Sequence, residues 1–273
     1  MKLSIITVNY NNCPGLQRTI DSVVAQTWRD FEWIIIDGGS TDGSRELIEK
    51  YQVHFSYWCS EPDKGIYNAM NKGIAKAKGE YLNFMNSGDC FYEKDTLEKV
   101  NDRNPKADIV YCDFSLHENL FFYKISNMML QLFESSIDHQ STFIRRILFE
   151  KYKYDERLTI AADWKFFLQT IIIDNVSVEH LDIVVCYHDS FGISTSSLNV
   201  DERLKILDDM FPRRFTESLD LLHHYSQSRP IQRARLLVCH GGFAEKLTRA
   251  ILKTLDKIFL RIKFGRDNHI IGN

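Results

Sequence analysis

The sequence predicts an α/β fold, in which helices cover both faces of a mostly parallel β-sheet and a helical extension follows. Three observations lead there. Short apolar runs alternate with helical stripes through the first 91 residues, the pattern of strands joined by crossover helices. Each run gives way to polar residues at its end. After about residue 215 a basic, amphipathic composition replaces the alternation.

LSIITVNY (3–10) is a β-branched run leading into Asn9 and Asn11; Pro14 then opens a helix with Leu16, Ile20, Val23 and Val24 on one face. FEWIIID (31–37) is the second buried run. It breaks at Gly38-Gly39-Ser40, where Ser40, Thr41 or Asp42 can cap a helix carrying Leu47, Ile48 and Tyr51. VHFSYW (53–58) reads as the third strand. Ile66, Ala69, Met70, Gly73, Ile74 and Ala77 make the third helical stripe, closed by Gly79. EYLNFM (80–85) is the fourth strand. Further on, DIVYCDF and LFFYKI are expected strands with longer connections, STFIRR is β-like, and IAADWKFFLQTI opens a helix.

At 273 residues and 44% hydrophobic, the chain can bury a large core in one domain plus an appendage. It holds no run of 18 apolar residues, so no bilayer span is expected. Met1-Lys2-Leu3-Ser4 enters a strand without the apolar region of a signal peptide. Six cysteines (13, 59, 90, 112, 186, 239) without CxxC pairing suit reduced thiols, hence a cytoplasmic setting. The net charge of −3 hides an asymmetry: residues 1–228 carry 24 Lys/Arg against 34 Asp/Glu, whereas 229–273 carry 10 against 3. The tail therefore meets a different environment from the rest. No nucleic-acid partner is expected.

Asn9, Asp37, Asp63 and Asp89 all follow apolar runs. In parallel sheets ligands bind beyond the carboxyl ends of the strands, so these residues would form an acidic rim there. Such a rim binds phosphates poorly unless a cation intervenes, which points to Mg²⁺ or Mn²⁺ held by carboxylate oxygens. Gly88 would allow close approach beside Asp89. Singly, each residue is also an ordinary turn former. Neither GxGxxG nor GxxxxGK[ST] occurs.

Taken together, SIITVNYN, IIIDGGSTDGS, SEPDKGIYNAMNKGIAKAKGEYLNFMNSGD and DHQSTFIRR…YDERLTIAADWKFF resemble family-2 glycosyltransferases of the GT-A fold, the bacterial surface-polysaccharide type above all. The likeness runs over roughly residues 1–195. It implies a GT-A domain at 1–215, with a nucleotide-binding half at 1–91 and an acceptor half at 92–215, followed by a basic helical extension at 216–273. By this resemblance Val8, Asn9, Tyr10 and Asp37 hold base and ribose, Asp63 faces the nucleotide and Lys64 its phosphates. Relatives often carry a second aspartate after the second strand; here Gly38 stands in that place. NSGD (86–89) takes the position of the metal-binding DxD-like motif, leaving Asp89 as its carboxylate. Asn86, His139, Gln140 and His188 are candidate acceptor or phosphate contacts. Asp163 is the implied catalytic base, although a first-turn aspartate also complements a helix dipole.

The resemblance thus implies an inverting, metal-dependent transfer of sugar from a nucleoside-diphosphate sugar, a UDP-sugar above all, to a saccharide or lipid-linked acceptor. A sugar nucleotidyltransferase and a non-catalytic nucleotide-sugar-binding module are the alternatives. In the tail, Leu247, Ile251, Leu255, Ile258 and Ile262 line one side of a helix over 243–263 and basic residues the other. That helix would lie on an anionic membrane, pack on its own domain or join a homo-oligomer.

Overall fold

Leu3–Asn9 forms β1, buried at all seven positions and therefore in need of cover on both faces. Helix α1 (Cys13–Val24) covers one face: Leu16, Ile20 and Val23 share a core with Leu3 and Ile5 of β1, Trp33 and Ile35 of β2 (Phe31–Asp37) and Ile48 of α2 (Ser44–Tyr51). Helix α3 (Ile66–Lys76) covers the other face at Gly73, where a Cβ would stand 2.5 Å from Ile6 Cγ2. Alternate residues of one strand thus serve opposite layers, as the period of two requires. The computed structural model describes residues 2–116, 119–121, 132–133, 136–188 and 198–213.

β1 pairs in parallel with β2 and with β4 (Tyr81–Phe84), and β2 with β3 (Tyr57–Ser60). The β3-β2-β1-β4 half is all parallel. β8 (Thr142–Arg145) then reverses direction beside β4, and β6 (Ile109–Leu116), β9 (Val178–His188) and β5 (Cys90–Phe91) complete the order β3-β2-β1-β4-β8-β6-β9-β5, with β7 (Asn119–Phe121) on β6. Among the described residues the further helices include α4 (Thr96–Asp102), α5 (Leu148–Lys151), α6 (Ala162–Phe167) with a π-helical continuation over Leu168–Ile173, and α7 (Leu198–Met210).

The join between the parallel half and the rest is narrow. β4 and β8 share two register positions, Tyr81↔Arg145 and Leu82↔Ile144, against seven between β1 and β2. Past them the buried Asn83 takes over, its amide donating to the carbonyls of Gln140 at 2.9 Å and Thr142 at 3.1 Å.

Four local expectations are corrected. The third strand begins at Tyr57, because Gln52–His54 extends α2 as a 3-10 turn and leaves Val53 exposed. α3 ends at Lys76, before Gly79. Gly79 instead permits contact with β1, since a Cβ there would meet Ser4 N at 2.6 Å. The residue before α2 is Gly43 at φ 94°, with no side-chain cap of its own; Asp42 still accepts from the Ser44 N–H and hydroxyl, and Ser40 turns to Asp37. The expected helix at 160–171 is α-helical only over Ala162–Phe167.

The chain divides into two compact units, 1–209 and 210–273. Most of the second, including the amphipathic stretch 243–263, lies outside the described residues, as does most of LFFYKI. Among the described residues no helix is long and apolar enough to cross a membrane.

Candidate active site

The carboxyl edge of the parallel half carries the first cluster. Asn9 and Asp37 end β1 and β2 as register partners, and Asn9 Nδ2 donates to Asp37 Oδ1 at 2.7 Å. The hydroxyls of Ser40 and Ser60 donate to Asp37 at 2.6 Å each, and the Ser40 N–H at 2.9 Å. Burial pushes this carboxyl up, but these donors outweigh it and hold Asp37 below its ordinary pKa. At 0% exposure, its oxygens are spent on shaping the loop. Val8 lies buried beneath. Tyr10, 67% exposed, and Asp63 flank Gly38: a Cβ there would stand 2.7 Å from Asp63 Oδ2 and 3.1 Å from the Tyr10 ring. A second aspartate at 38 would therefore displace Asp63. Lys64 is exposed on the adjoining loop, its backbone N–H donating to Asn68.

The second cluster crosses the join. Gly88, at φ 109°, turns the chain after β4, and its N–H donates to Thr19 Oγ1 of α1. Thr19 in turn donates toward the carbonyl of Asp89 at 2.7 Å, tying the turn to the core. Asp89 Oδ2 accepts from Gln140 Nε2 at 3.0 Å, and its Oδ1 lies 3.9 Å from His188 Nε2. Asn86 Nδ2 meets His139 Nε2 at 3.0 Å, and His139 Nδ1 meets Asp163 Oδ2 at 2.9 Å. Asp163 Oδ1 accepts from the Trp164 N–H at 2.8 Å and lies 3.2 Å from the Tyr67 hydroxyl. So Asn86, His139 and Asp163 form one chain, Asp89, Gln140 and His188 a second beside it. Packed Phe84, Phe149, Tyr154 and Phe166 support the first, with His139 edge-on to Phe84.

Asp63, Lys64 and Tyr10 belong to the first cluster and make no hydrogen bond to the second among the described residues. Sequence reasoning did not place Tyr67, Thr19 or Ser60 at the site, and it gave Ser40 only as a helix cap. Tyr67 lies inside the quoted GIYNAM, where a buried phenol's need for a partner was the available signal.

Asp89 Oδ1 and His188 Nε2 stand 3.9 Å apart, close enough for one divalent ion to reach both. A carboxylate oxygen is the ligand type that suits Mg²⁺ or Mn²⁺. Asn86 Oδ1 is buried with no hydrogen-bond partner among the described residues, and a turned amide would let it accept from His139 Nε2–H once that ring is charged. Among those residues no group of three His, Cys, Asp or Glu could close a cation in. Few protein ligands plus substrate phosphates is the usual Mg²⁺ arrangement.

Burial works to lower the His139 pKa, but the hydrogen bond and charge of Asp163, then Asp89 and Asp138, raise it above its ordinary value. Burial works to raise Asp163, and His139, the Trp164 N–H and Tyr67 hold it below its own. His139's pairing thus stabilises fully below about pH 6.5 and fades as pH rises through the raised value. Asp163's contribution is present above about pH 4 and fades as pH falls through the lowered value. His139→Gln is therefore expected to lower the urea midpoint more at about pH 5.5 than at about pH 9. Equal losses at both would show that His139 stays neutral.

Comparison with solved structures bears out the fold. The fragment 1–349 of Staphylococcus aureus TarS in complex with UDP-GlcNAc superimposes with a TM-score of 0.63 at 18% identity, over 91% of this chain and 78% of that one. A mannosyltransferase from Pyrobaculum calidifontis in complex with GDP-Man and Mn²⁺ gives 0.61 at 17%, over 94% and 80%. The chain spans 44% of a longer TarS structure. The fold is the GT-A fold of glycosyltransferases.

The profile described as Glycosyl transferase family 2 matches residues 4–155. A PGL/p-HBAD biosynthesis glycosyltransferase of Mycobacterium bovis is 31% identical over 218 residues, 75% of this chain and 83% of the relative. An uncharacterized glycosyltransferase of Mycobacterium tuberculosis is 33% identical over 206 residues, 71% and 77%. The protein belongs to glycosyl transferase family 2.

Proposed function

We propose that this protein moves a sugar from a nucleoside-diphosphate sugar, a UDP-sugar in the first instance, to a hydroxyl of a saccharide or lipid-linked acceptor, with inversion at C1. The observation that carries this reading is the Asn86–His139–Asp163 chain running beside Asp89. It would bring a carboxylate near the proposed diphosphate site. A carboxylate has about four lone-pair positions, and His139, Trp164 and the nearby Tyr67 hydroxyl take at most three, so Asp163 can accept one more proton donor.

In this reading the Tyr10 ring and the Asp63 carboxylate face base and ribose, Asp37 acts through the loop it shapes, and Lys64 faces the phosphates. Asp89 and His188 would hold Mg²⁺ or Mn²⁺, which when bound offsets the charge of the departing diphosphate as a Lewis acid. The acceptor oxygen bonds to C1 as the bond from C1 to the diphosphate breaks. Its proton passes to Asp163. A carboxylate with a depressed pKa is a weak base, but the hydroxyl grows acidic as its oxygen bonds, so transfer late in the step suffices. His139 orients that carboxylate.

Support for the donor class comes from the neighbours solved with UDP-GlcNAc and GDP-Man. The proposed setting is surface-polysaccharide synthesis at the cytoplasmic face of a membrane, with 243–263 as the contact. Incubation with UDP-, GDP- and dTDP-sugars plus Mn²⁺ is the test. Slow release of UDP, quickened by a saccharide acceptor, is expected. Release from GDP-sugars alone would overturn the base assignment, and no release from any donor would favour a binding module.

A further inference from the structure

The turn that presents Asp163 has three successive backbone N–H groups, at Thr159, Ile160 and Ala161, all directed to one side chain. Glu202 of α7 accepts them at 2.6, 2.9 and 3.1 Å. The next residue, Arg203, lays its guanidinium 4.8 Å over the ring of Trp164. Two adjacent residues of one helix therefore grip both flanks of Asp163. From a third side the Tyr67 hydroxyl donates to the Ile160 carbonyl at 2.5 Å. Buried Ile206, one turn on from Glu202, seats α7 in the same unit.

We propose that Glu202 is a positioning residue of the transfer reaction, fixing the backbone turn on which Asp163 stands and hence the place of its carboxylate. The proposal rests on Asp163 being the proton acceptor. Glu202 lies beyond the segment matched by the family profile, 4–155, and beyond every motif of the resemblance. Its own chemistry suits the task. Burial pushes its carboxyl up, and the three backbone donors more than offset this and keep it anionic. An anion collects three N–H groups that a neutral amide, bringing its own N–H₂, cannot all satisfy.

Misplacing a reacting group by about 1 Å can cost roughly 10²-fold in rate. Glu202→Gln in the full chain is therefore expected to lower kcat by roughly 10- to 100-fold. Donor KM, and the affinity for UDP with Mn²⁺ measured by calorimetry, stay within about twofold, because Glu202 touches neither nucleotide cluster. Glu202→Asp, which keeps the charge on a shorter stem, recovers part of kcat. In an Asp163→Asn background the Glu202→Gln change costs nothing further, since it acts through a base no longer there. An unchanged kcat, an equal loss of UDP affinity, or a full second loss on top of Asp163→Asn overturns the proposal. Should Glu202→Gln not fold, Glu202→Asp is read by the same split: reduced kcat at intact KM supports it, and an unchanged kcat or a loss of both overturns it. Normal transfer by Asp163→Asn would instead remove the reading of Asp163, an outcome seen independently of Glu202.

Discussion

Asp163→Asn is expected to bind UDP and its sugar normally and to transfer at least ~10²-fold more slowly, the lower end for general base catalysis. The substitution keeps the shape of the side chain. Its carbonyl oxygen can still accept from the Trp164 N–H or from His139 Nδ1, so α6 and the Asn86–His139 contact should persist. What it removes is the charge and the ability to take a proton. The loss should therefore fall on kcat, with KM and the calorimetric affinity for UDP unmoved. Near-normal transfer by the folded variant would place proton acceptance elsewhere, with His139 the next group in the chain.

Asp89→Asn is expected to weaken Mn²⁺-dependent UDP binding by about 10²-fold, equivalent to about 2.7 kcal/mol. The reason is the sparse donor set. Asp89 is the carboxylate of the candidate cation site, His188 stands 3.9 Å from it, and among the described residues no group of three His, Cys, Asp or Glu could hold the ion. Asparagine there can still accept from Gln140 Nε2, which separates loss of charge from collapse of the turn. Affinity for uridine, which lacks phosphates, should stay level. Wild-type UDP affinity that is the same in Mn²⁺ and in EDTA would remove the metal from the proposal.

The parallel half was legible because its signals are local. The runs 3–10 and 31–37 are dense in Ile and Val, and they appear as β1 and β2 almost to the residue. VHFSYW misled, since an exposed Val53 in a 3-10 turn and a paired Tyr57 look alike until the register with β2 is known. Gly79 looked like a helix cap because a glycine needed for close approach to Ser4 carries the same letter. At the site, the turn Asn86–Asp89 and the helix start at Asp163 could be read from residue type and order. That His139 would bridge Asn86 and Asp163 could not, because residues 53 and 24 positions apart meet only through tertiary structure. Glu202 gave no signal at all: VDERLKILDDM is an ordinary polar helix, and its three N–H partners lie some forty residues earlier.

The narrow join at β4 and β8 also bears on how faithfully the chain assembles. With two paired positions, backbone pairing alone would tolerate misalignment, and a one-residue slip shifts a strand by about 3.3 Å and turns its side chains to the opposite face. Asn83 acts as the check. Its amide donates to the Gln140 and Thr142 carbonyls, and a one-residue slip, which turns the neighbouring carbonyls the other way, would leave those donors unsatisfied. Because His139 directly precedes Gln140, the same selection brings its imidazole to Asn86. Asn83 thus favours the alignment that spaces the candidate site groups, while lying outside the proposed chemistry.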